Sequence, residues 1–369
     1  MRTPVVAGVA LVCALPVQAR AQGRVAGPVP RGLVALDSAR VIEDDSLFLA
    51  QPTEVALGPN GNLYVSETSE GRVLEIAPNG RIARVFGRRG RGPGELAAPS
   101  TLAIGGDSLL LVWDRGERRL SIFDLRTGRF VRQLGLSLAW PPAMRVVGSE
   151  ILIRNYDFDA GTSLMRLSAE GDTLGAEGVL PALGRQRPIL MQGAFAISVL
   201  APDGDAIFAM FEVSPLLYRW QRGTRTAREI TVPAVRRRGV RPSLFEEMMR
   251  DPGSAARLVW NRSIPIALEV VRPGTLGLVT MDYAMEDGSH AAVFYVTLVD
   301  VMRNRVCSDL PIPASTGRVR VRDPLPRVAV AGDRLVVLEQ GLGTHGDPAP
   351  MLRRFRIDPA ACQWAPIPP

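Results

Sequence analysis

Two histidines and three cysteines are the residue types in this 369-residue sequence best suited to metal binding or nucleophilic catalysis. Catalytic zinc commonly uses three protein ligands, often including two or three histidines. His290 and His345 supply only two, and both fall in Gly- and Asp-rich loop segments. The serine nucleophile motif Gly-x-Ser-x-Gly does not occur. We therefore predict no catalytic residue, no metal ligand and no cofactor.

Acidic residues recur just after short apolar runs, at positions that align when the runs are superposed. Three align well and three more stand one or two positions later: Glu67, Asp114 and Glu339, then Asp157, Glu212 and Asp282. Together these six could form an electronegative rim that binds a cation or an arginine-rich partner. They are candidate ligand-binding residues.

The acids belong to an internal repeat whose clearest copy covers residues 52–86. It consists of four short alternating runs joined by tight turns, two of which contain the Asn-Gly pairs typical of type I′ hairpins. The pattern begins again at Pro99, 47 residues after Pro52, which is within the range of a propeller blade. Weaker copies have their first turns at Gly148-Ser149, Asp203-Gly204, Pro273-Gly274 and Gly332-Asp333.

Six copies predict an all-β fold, a six-bladed β-propeller. A four-stranded sheet cannot cover both of its apolar faces, so the sheets must pack radially around an axis. A capping-box pattern beginning at Ser243 predicts a short helical insertion at about 241–260, between blades 4 and 5.

The motif Pro52-x-x-Val55-Ala56, the stretch Gly61 to Glu67 and the pair Arg72-Val73 resemble the NHL repeat. The Gly-rich stretch 87–96 is similar to the link between adjacent blades of exported bacterial six-bladed propellers of that group. The resemblance implies that an acid after the second strand caps a loop and pairs with an arginine that opens the third strand. The arginines so placed are Arg72, Arg118 or Arg119, and Arg353. The aligned acids therefore have two interpretations, a binding rim and structural pairing.

The first strand of each blade lines the channel of a propeller. Alignment of the copies brings six residues near one level of that channel: Glu54, Thr101, Ala143, Ile197, Ala267 and Arg327. A calcium-dependent enzyme would need several oxygen ligands from different blades there, and only Glu54 qualifies. Glu54 and Arg327 join the candidate ligand-binding residues.

Residues 1–21 have the pattern of a cleavable signal peptide. Arg2 precedes an apolar run, and Ala19-Arg20-Ala21 forms the small-x-small site, which predicts cleavage near Ala21 and a periplasmic or secreted protein. Residues 22–50 form an N-terminal segment and 51–369 the propeller. The ring could be closed by a strand at 33–42 or by the C-terminal tail after Cys362.

Charge and cysteine content limit the partners. The net charge is +7 and every one of the 44 basic residues is arginine, scattered along the chain, so we expect no nucleic-acid partner; we also expect no membrane span. Cys307 and Cys362 remain after signal cleavage. An oxidising compartment permits a bridge between them, whereas outer strands of the last two blades could hold them too far apart.

The predicted function is a non-enzymatic binding or scaffolding module that engages a protein, peptide or glycan through its axial face. The alternative is a metal-dependent hydrolase or lyase with a site in the central channel.

Overall fold

The computed structural model of the protein describes residues 29–106, 108–136, 138, 143–186, 198–233, 247, 250, 262–286, 289–313, 318–320, 325–342 and 348–367. The signal peptide predicted at 1–21 lies outside these residues. So does nearly all of the helical insertion predicted at about 241–260.

The strands form six antiparallel sheets arranged as the blades of a propeller, which confirms the predicted fold class. Blade 1 contains β2 (Pro52–Leu57), β3 (Leu63–Glu67), β4 (Arg72–Ile76) and β5 (Ile82–Phe86). Blade 2 contains β6 (Pro99–Gly105), β7 (Leu109–Asp114), β8 (Arg119–Asp124) and β9 (Phe130–Gly135). Blade 3 contains β10 (Met144–Val147), β11 (Glu150–Asp157), β12 (Thr162–Leu167) and β13 (Thr173–Glu177), followed by the short helix α1 (Ala182–Gln186).

The last three blades continue the series. Blade 4 contains β14 (Ser198–Asp203), β15 (Ala206–Phe211), β16 (Leu216–Gln221) and β17 (Arg228–Thr231). Blade 5 contains β18 (Arg262–Arg272), β19 (Thr275–Glu286), β20 (Ser289–Asp300) and β21 (Arg305–Pro311), with β22 (Arg318–Arg320) and β26 (Ala365–Pro366) added at its margins. Blade 6 contains β23 (Arg327–Ala331), β24 (Arg334–Leu342), β25 (Pro348–Ile357) and β1 (Leu33–Arg40).

Each pair of neighbouring blades shares its own apolar core cluster, so the hydrophobic interior is divided among the six blade boundaries. In β3 the alternation of the strand explains how one sheet serves two boundaries. Leu63 and Val65 pack toward blade 6, whereas Tyr64, between them, packs toward blade 2. Both faces of a blade are buried, and the blades depend on one another for that burial.

The N-terminal strand β1 closes the ring by pairing antiparallel with β25 as the outermost strand of blade 6. The chain then crosses to blade 1, where the amide of Ile42 donates a hydrogen bond to the carbonyl of Gly80. Gly80 has a φ of +85°, and a Cβ on it would stand 1.8 Å from the carbonyl oxygen of Arg40. Only glycine accommodates this crossing.

The C-terminal tail joins blade 5. Strand β26 pairs with β21, and a disulfide links Cys307 of β21 to Cys362, with the two Cα atoms 6.1 Å apart. That separation lies within the normal range for a disulfide. The sequence did not decide whether this disulfide forms, because the outer strands of two blades can lie far apart. The C-terminal tail returns to blade 5 and brings Cys362 next to Cys307.

Candidate functional site

A cavity of about 790 Å³ occupies the centre of the ring. It is lined by the innermost strands of all six blades: β2, β6, β10, β14, β18 and β23. This volume is within the usual range for small-molecule sites. Because each innermost strand begins at the face where the blades are linked, residues early in these strands lie nearest that face.

The alignment of the repeats predicted residues that line this cavity. Five of the six aligned residues line it: Glu54, Thr101, Ala143, Ala267 and Arg327. The sixth, Ile197, lies outside the described residues. Most of this level is small or apolar, and its two charged side chains come from adjacent blades, Glu54 from blade 1 and Arg327 from blade 6.

Glu54 carries a carboxylate into the cavity with little local compensation. Its Oε1 accepts a hydrogen bond from the amide of Val55 at 3.3 Å. The Glu54 side chain is exposed to solvent inside the cavity. Protein nevertheless surrounds the carboxylate more widely, so it is less well hydrated than in bulk water. Loss of hydration therefore raises the pKa of the Glu54 carboxyl, and the Val55 amide and the charges of Arg327 and Arg145 offset this only in part.

Arg327 carries the complementary charge. Its Nε donates a hydrogen bond to the carbonyl oxygen of Pro52 at 3.2 Å, which anchors the side chain to the beginning of β2. Dehydration lowers the pKa of the Arg327 guanidinium, against the attraction of Glu54. Within the described residues neither Glu54 nor Arg327 forms an ion pair, although the two attract one another across the cavity.

A second level of charge lies one step further along the same strands, and the sequence analysis missed it. Arg145 of blade 3 and Glu269 of blade 5 form an ion pair at 3.5 Å that spans the front of blade 4. Arg145 also donates to the carbonyl oxygens of Met144 and Leu268. Burial raises the pKa of Glu269, and Arg145 opposes that shift. Both residues stand two positions after an aligned neighbour, Ala143 and Ala267, so the two-residue period of a strand could have found them.

The remaining walls are mainly apolar, with Leu102, Val199 and Phe294 among the lining residues, and they also include the charged residues Arg154, Asp333 and Arg334. An apolar cavity with a few fixed charges is typical of a site that orients a small polar group while it buries an apolar one. In the described residues no group of three or more His, Cys, Asp or Glu side chains converges as ligands for a metal ion.

The aligned acid of blade 2 is part of a blade-to-blade link. Asp114 is fully buried, and its carboxylate accepts hydrogen bonds from the amides of Ala97 and Ala98 at 3.0 and 2.8 Å and from Gly116 at 3.2 Å. The Nε of Arg119 stands 3.4 Å from its Oδ2. Asp114 therefore caps the segment that enters blade 2, as the resemblance implied for this position.

Glu67 and Glu339 occupy the corresponding places in blades 1 and 6 and are also buried. The Oε2 of Glu67 accepts hydrogen bonds from the amides of Ala50 and Gln51 at 2.7 and 3.2 Å. Burial nevertheless raises the pKa of Glu67. The Oε1 of Glu339 accepts from the Nε of Arg353 at 2.6 Å.

The other three acids are spread over different environments. Glu212 is buried and Asp282 is half-buried, with Oδ1 of Asp282 accepting from the Ser263 hydroxyl at 3.0 Å. Asp157 is exposed and accepts from the amide of Ala160. The burial of Glu67, Asp114, Glu212 and Glu339 favours structural pairing over a binding rim. The side chain of His290 and all of His345 lie outside the described residues.

The Gly-rich stretch between blades 1 and 2 is held by its own charges. Glu95 accepts from the amide of Gly92 at 2.9 Å and from the Arg88 side chain at 2.8 Å, and these contacts lower its pKa. Arg119 donates to the carbonyl oxygens of Arg91, Gly92 and Glu95. These contacts hold the link against blade 2.

Comparison with known proteins identifies the fold and leaves the family open. No protein-family model matches the chain. Peptidyl-glycine alpha-amidating monooxygenases B and A from Xenopus laevis are each 32% identical over 97 residues, which is 24% of this chain. The chain matches only about a tenth of the length of these curated relatives, 11% and 10%.

Two solved structures resemble nearly the whole chain. A member of the DUF4221 family from Bacteroides vulgatus has a TM-score of 0.60 at 12% identity, covering 88% of this chain and 97% of that one. A putative exported protein from Bacteroides fragilis has a TM-score of 0.58 at 11% identity, covering 89% and 96%. Within the described residues no helix is long and apolar enough to span a bilayer. At such identities the likeness establishes one thing, the six-bladed propeller fold.

Proposed function

We propose that this protein is an exported binding module that receives a ligand in its central cavity, from the axial face on which the blades are linked. The ligand is a small molecule, or the end of a protein, peptide or glycan chain that reaches the cavity from that face. On the motifs of its first two blades, we also propose that the propeller is of the NHL-repeat type.

The observation that carries the proposal is the pair of uncompensated charges in the cavity. A dehydrated carboxylate or guanidinium lowers stability unless it is paired. Loss of hydration raises the pKa of Glu54 and lowers that of Arg327, although solvent reaches the Glu54 side chain, and neither forms an ion pair among the described residues. Groups that cost stability in the empty protein are typical of sites that gain their partner from a ligand.

The test is to fill the cavity with a side chain. Ala267→Trp and Thr101→Trp each place an indole among the lining residues from a different blade. Ligands found by a thermal-shift screen of metabolites, peptides and oligosaccharides should bind at least about tenfold more weakly to both variants. Val131→Trp, on the exposed outer strand of blade 2, is the matched control. Undiminished binding to folded Ala267→Trp and Thr101→Trp would exclude the cavity.

Export has its own support and its own test. Disulfides persist mainly in oxidising compartments, and the Cys307–Cys362 bridge joins the sequence pattern of residues 1–21 in favour of export. Full-length chain expressed in a Gram-negative host should appear in the periplasm or the medium and begin at Gln22. Ala19→Arg should retain the signal, because position −3 needs a small residue. Cytoplasmic accumulation of the uncleaved wild-type chain would contradict export.

A metal-dependent hydrolase or lyase acting in the channel is the second candidate. The partial sequence similarity to the amidating monooxygenases of Xenopus laevis favours an enzyme of some kind. Glu54, Glu269 and Asp333 are the acids that line the described cavity. One equivalent of calcium or zinc retained per chain, lost in the Glu54→Gln variant, would favour the enzyme.

A further inference from the structure

We propose that the ligand of the central cavity is a small zwitterion of the α-amino-acid class, with its ammonium group facing Glu54 and its carboxylate facing Arg327. This inference rests on the proposed function and specifies the chemistry of the ligand at that site.

The two charges lie close together yet do not neutralise one another. Arg327 is hydrogen-bonded through Nε to the carbonyl oxygen of Pro52, two residues before Glu54, so the guanidinium stands beside the strand that carries the carboxylate. No nitrogen of Arg327 comes within 4 Å of a Glu54 oxygen in the structure. The Nε contact leaves the two terminal nitrogens of Arg327 for a further acceptor, and Oε2 of Glu54 has no hydrogen-bond donor among the described residues.

Charge balance selects among the ligand classes. A monocation would compensate Glu54 and leave Arg327 dehydrated, and a monoanion would do the reverse. A dianion would meet the carboxylate of Glu54, and a dication the guanidinium of Arg327. A molecule that carries both signs a short distance apart satisfies both groups at once. The ammonium and carboxylate of an α-amino acid are attached to one carbon and have this arrangement.

The rest of the cavity indicates which amino acids fit. Arg145 and Glu269 are already paired with one another, so the second level needs no charge from the ligand. Arg154 also lines the cavity, and Asp333 and Arg334 line it beyond the far end of β23, where Arg334 donates to the carbonyl oxygen of Pro59. The other lining residues are mainly apolar, including Leu102, Val199 and Phe294. A cavity of about 790 Å³ has room for a large side chain beside the charged groups. We therefore expect an apolar or aromatic side chain on the ligand.

Isothermal titration calorimetry at pH 7 tests the inference with two matched sets of probes. Phenylalanine is compared with phenethylamine and 3-phenylpropionate, and leucine with isoamylamine and 4-methylpentanoate. At least one amino acid should bind the wild-type protein about tenfold to a hundredfold more tightly than its two singly charged analogues, since each loses one charge-assisted contact. An analogue that binds as tightly as its parent amino acid, or no binding by either amino acid, would overturn the zwitterion.

Two variants assign the charges to the ends of the ligand. Glu54→Gln should weaken binding of the amino acid about tenfold or more, but not that of the carboxylate analogue, which no longer meets a like charge. Arg327→Gln should spare the amine analogue in the same way. A misfolded variant would lose all probes together, so this crossed pattern separates recognition from damage. Glu229→Gln and Arg228→Gln, on the exposed outer strand of blade 4, are the matched controls.

The inference and the proposed function fail differently. If ligands from the broad screen bind and are lost in Ala267→Trp, but neither amino acid binds, the cavity stands and the zwitterion is wrong. If phenylalanine or leucine binds equally well to Ala267→Trp and Thr101→Trp, the site lies elsewhere and both are wrong.

Discussion

Asp114 of a blade link and Glu54 of the central cavity are carboxylates in contrasting surroundings. Asp114 is fully buried and is met by three backbone amides and the Arg119 guanidinium. Glu54 lies in the neighbouring blade, accepts a single hydrogen bond at 3.3 Å and has a raised pKa. The first acid stabilises the fold, and the second is a liability in the empty protein. This contrast, rather than the number of acids, distinguishes a structural position from a ligand-binding one.

The contrast follows from where each acid stands along its blade. In blades 1 and 2 the acid at the end of the second strand accepts hydrogen bonds from amides of the incoming link, which need an acceptor. An acid on the first strand points into the channel, where the facing side chains come from other blades. The link amides therefore compensate Asp114 and, in part, Glu67, whereas in the channel Glu269 gains its partner Arg145 from another blade.

The largest effect is expected for Asp114→Ala. Removal of this carboxylate leaves buried amides and the Arg119 guanidinium without their acceptor, and we expect a loss of about 3 kcal/mol in the free energy of unfolding. Urea unfolding followed by tryptophan fluorescence measures it. Asp124→Ala, at the end of β8 where the carboxylate accepts hydrogen bonds from Thr127 of the following turn, is the control and should have a much smaller effect. Equal losses of stability in the two variants would show that Asp114 has no special structural role in the link.

Glu339→Gln should have the next largest effect, a loss of about 1.5 kcal/mol. The variant replaces the charged partner of Arg353 by a neutral amide. The Arg353 side chain is 31% exposed and can turn to water, so the loss is smaller than for Asp114. The same denaturation measurement applies, with Glu229→Gln on the exposed strand β17 as the control. A gain in stability would show that the buried charge of Glu339 destabilises the fold, as we expect for Glu54.

The repeat made the fold predictable, because each blade is marked by alternating apolar and polar residues and by turn residues, and both are local signals. Two Asn-Gly turns and the 47-residue spacing located blades 1 and 2, and the first turns of the weaker copies located the rest. Ring closure was not decidable in this way. Strand β1 and the tail could each supply a closing strand, and the choice between them depends on which tertiary partner each finds.

The residues of the candidate site were predictable only at positions that the alignment of the repeats covers. Alignment of the first strands brought Glu54 and Arg327 to one level, and the same register extended by two residues contains Arg145 and Glu269. The burial of four of the six rim acids was not predictable, for a different reason. Sequence alone gives the position of Glu67 or Asp114 along a blade, but their burial depends on how the preceding link folds back over them.

Glu67→Gln tests an intermediate case, and we expect a change of about 1 kcal/mol or less. Two amides meet Oε2 of Glu67, as in the link class, but Oε1 is buried without a hydrogen-bond partner among the described residues, and burial raises the pKa. Glutamine keeps one acceptor for the amides and removes the dehydrated charge, so the two effects oppose one another. Asp114→Asn, measured in parallel, should be clearly more destabilising. A loss for Glu67→Gln as large as for Asp114→Asn would show that Glu67 stabilises its link as fully as Asp114 does.

The smallest effect, and the one with the opposite sign, is expected for Glu54→Gln. The folded-state pKa of Glu54 is raised above the unfolded value of 4.5, so the folded protein binds more protons above that pH. Its stability therefore decreases as pH rises from about 4.5 through the folded-state pKa. The glutamine variant lacks this decrease, and its advantage over the wild type should grow from none near pH 4 to roughly 0.5 kcal/mol at pH 7, a small figure because solvent reaches the carboxylate. Urea unfolding of both proteins across that range measures the difference, and bound phenylalanine should reverse it, since the ligand compensates the wild-type charge. A pH-independent loss of stability in Glu54→Gln would place Glu54 with the link acids and end the distinction on which the ligand site depends.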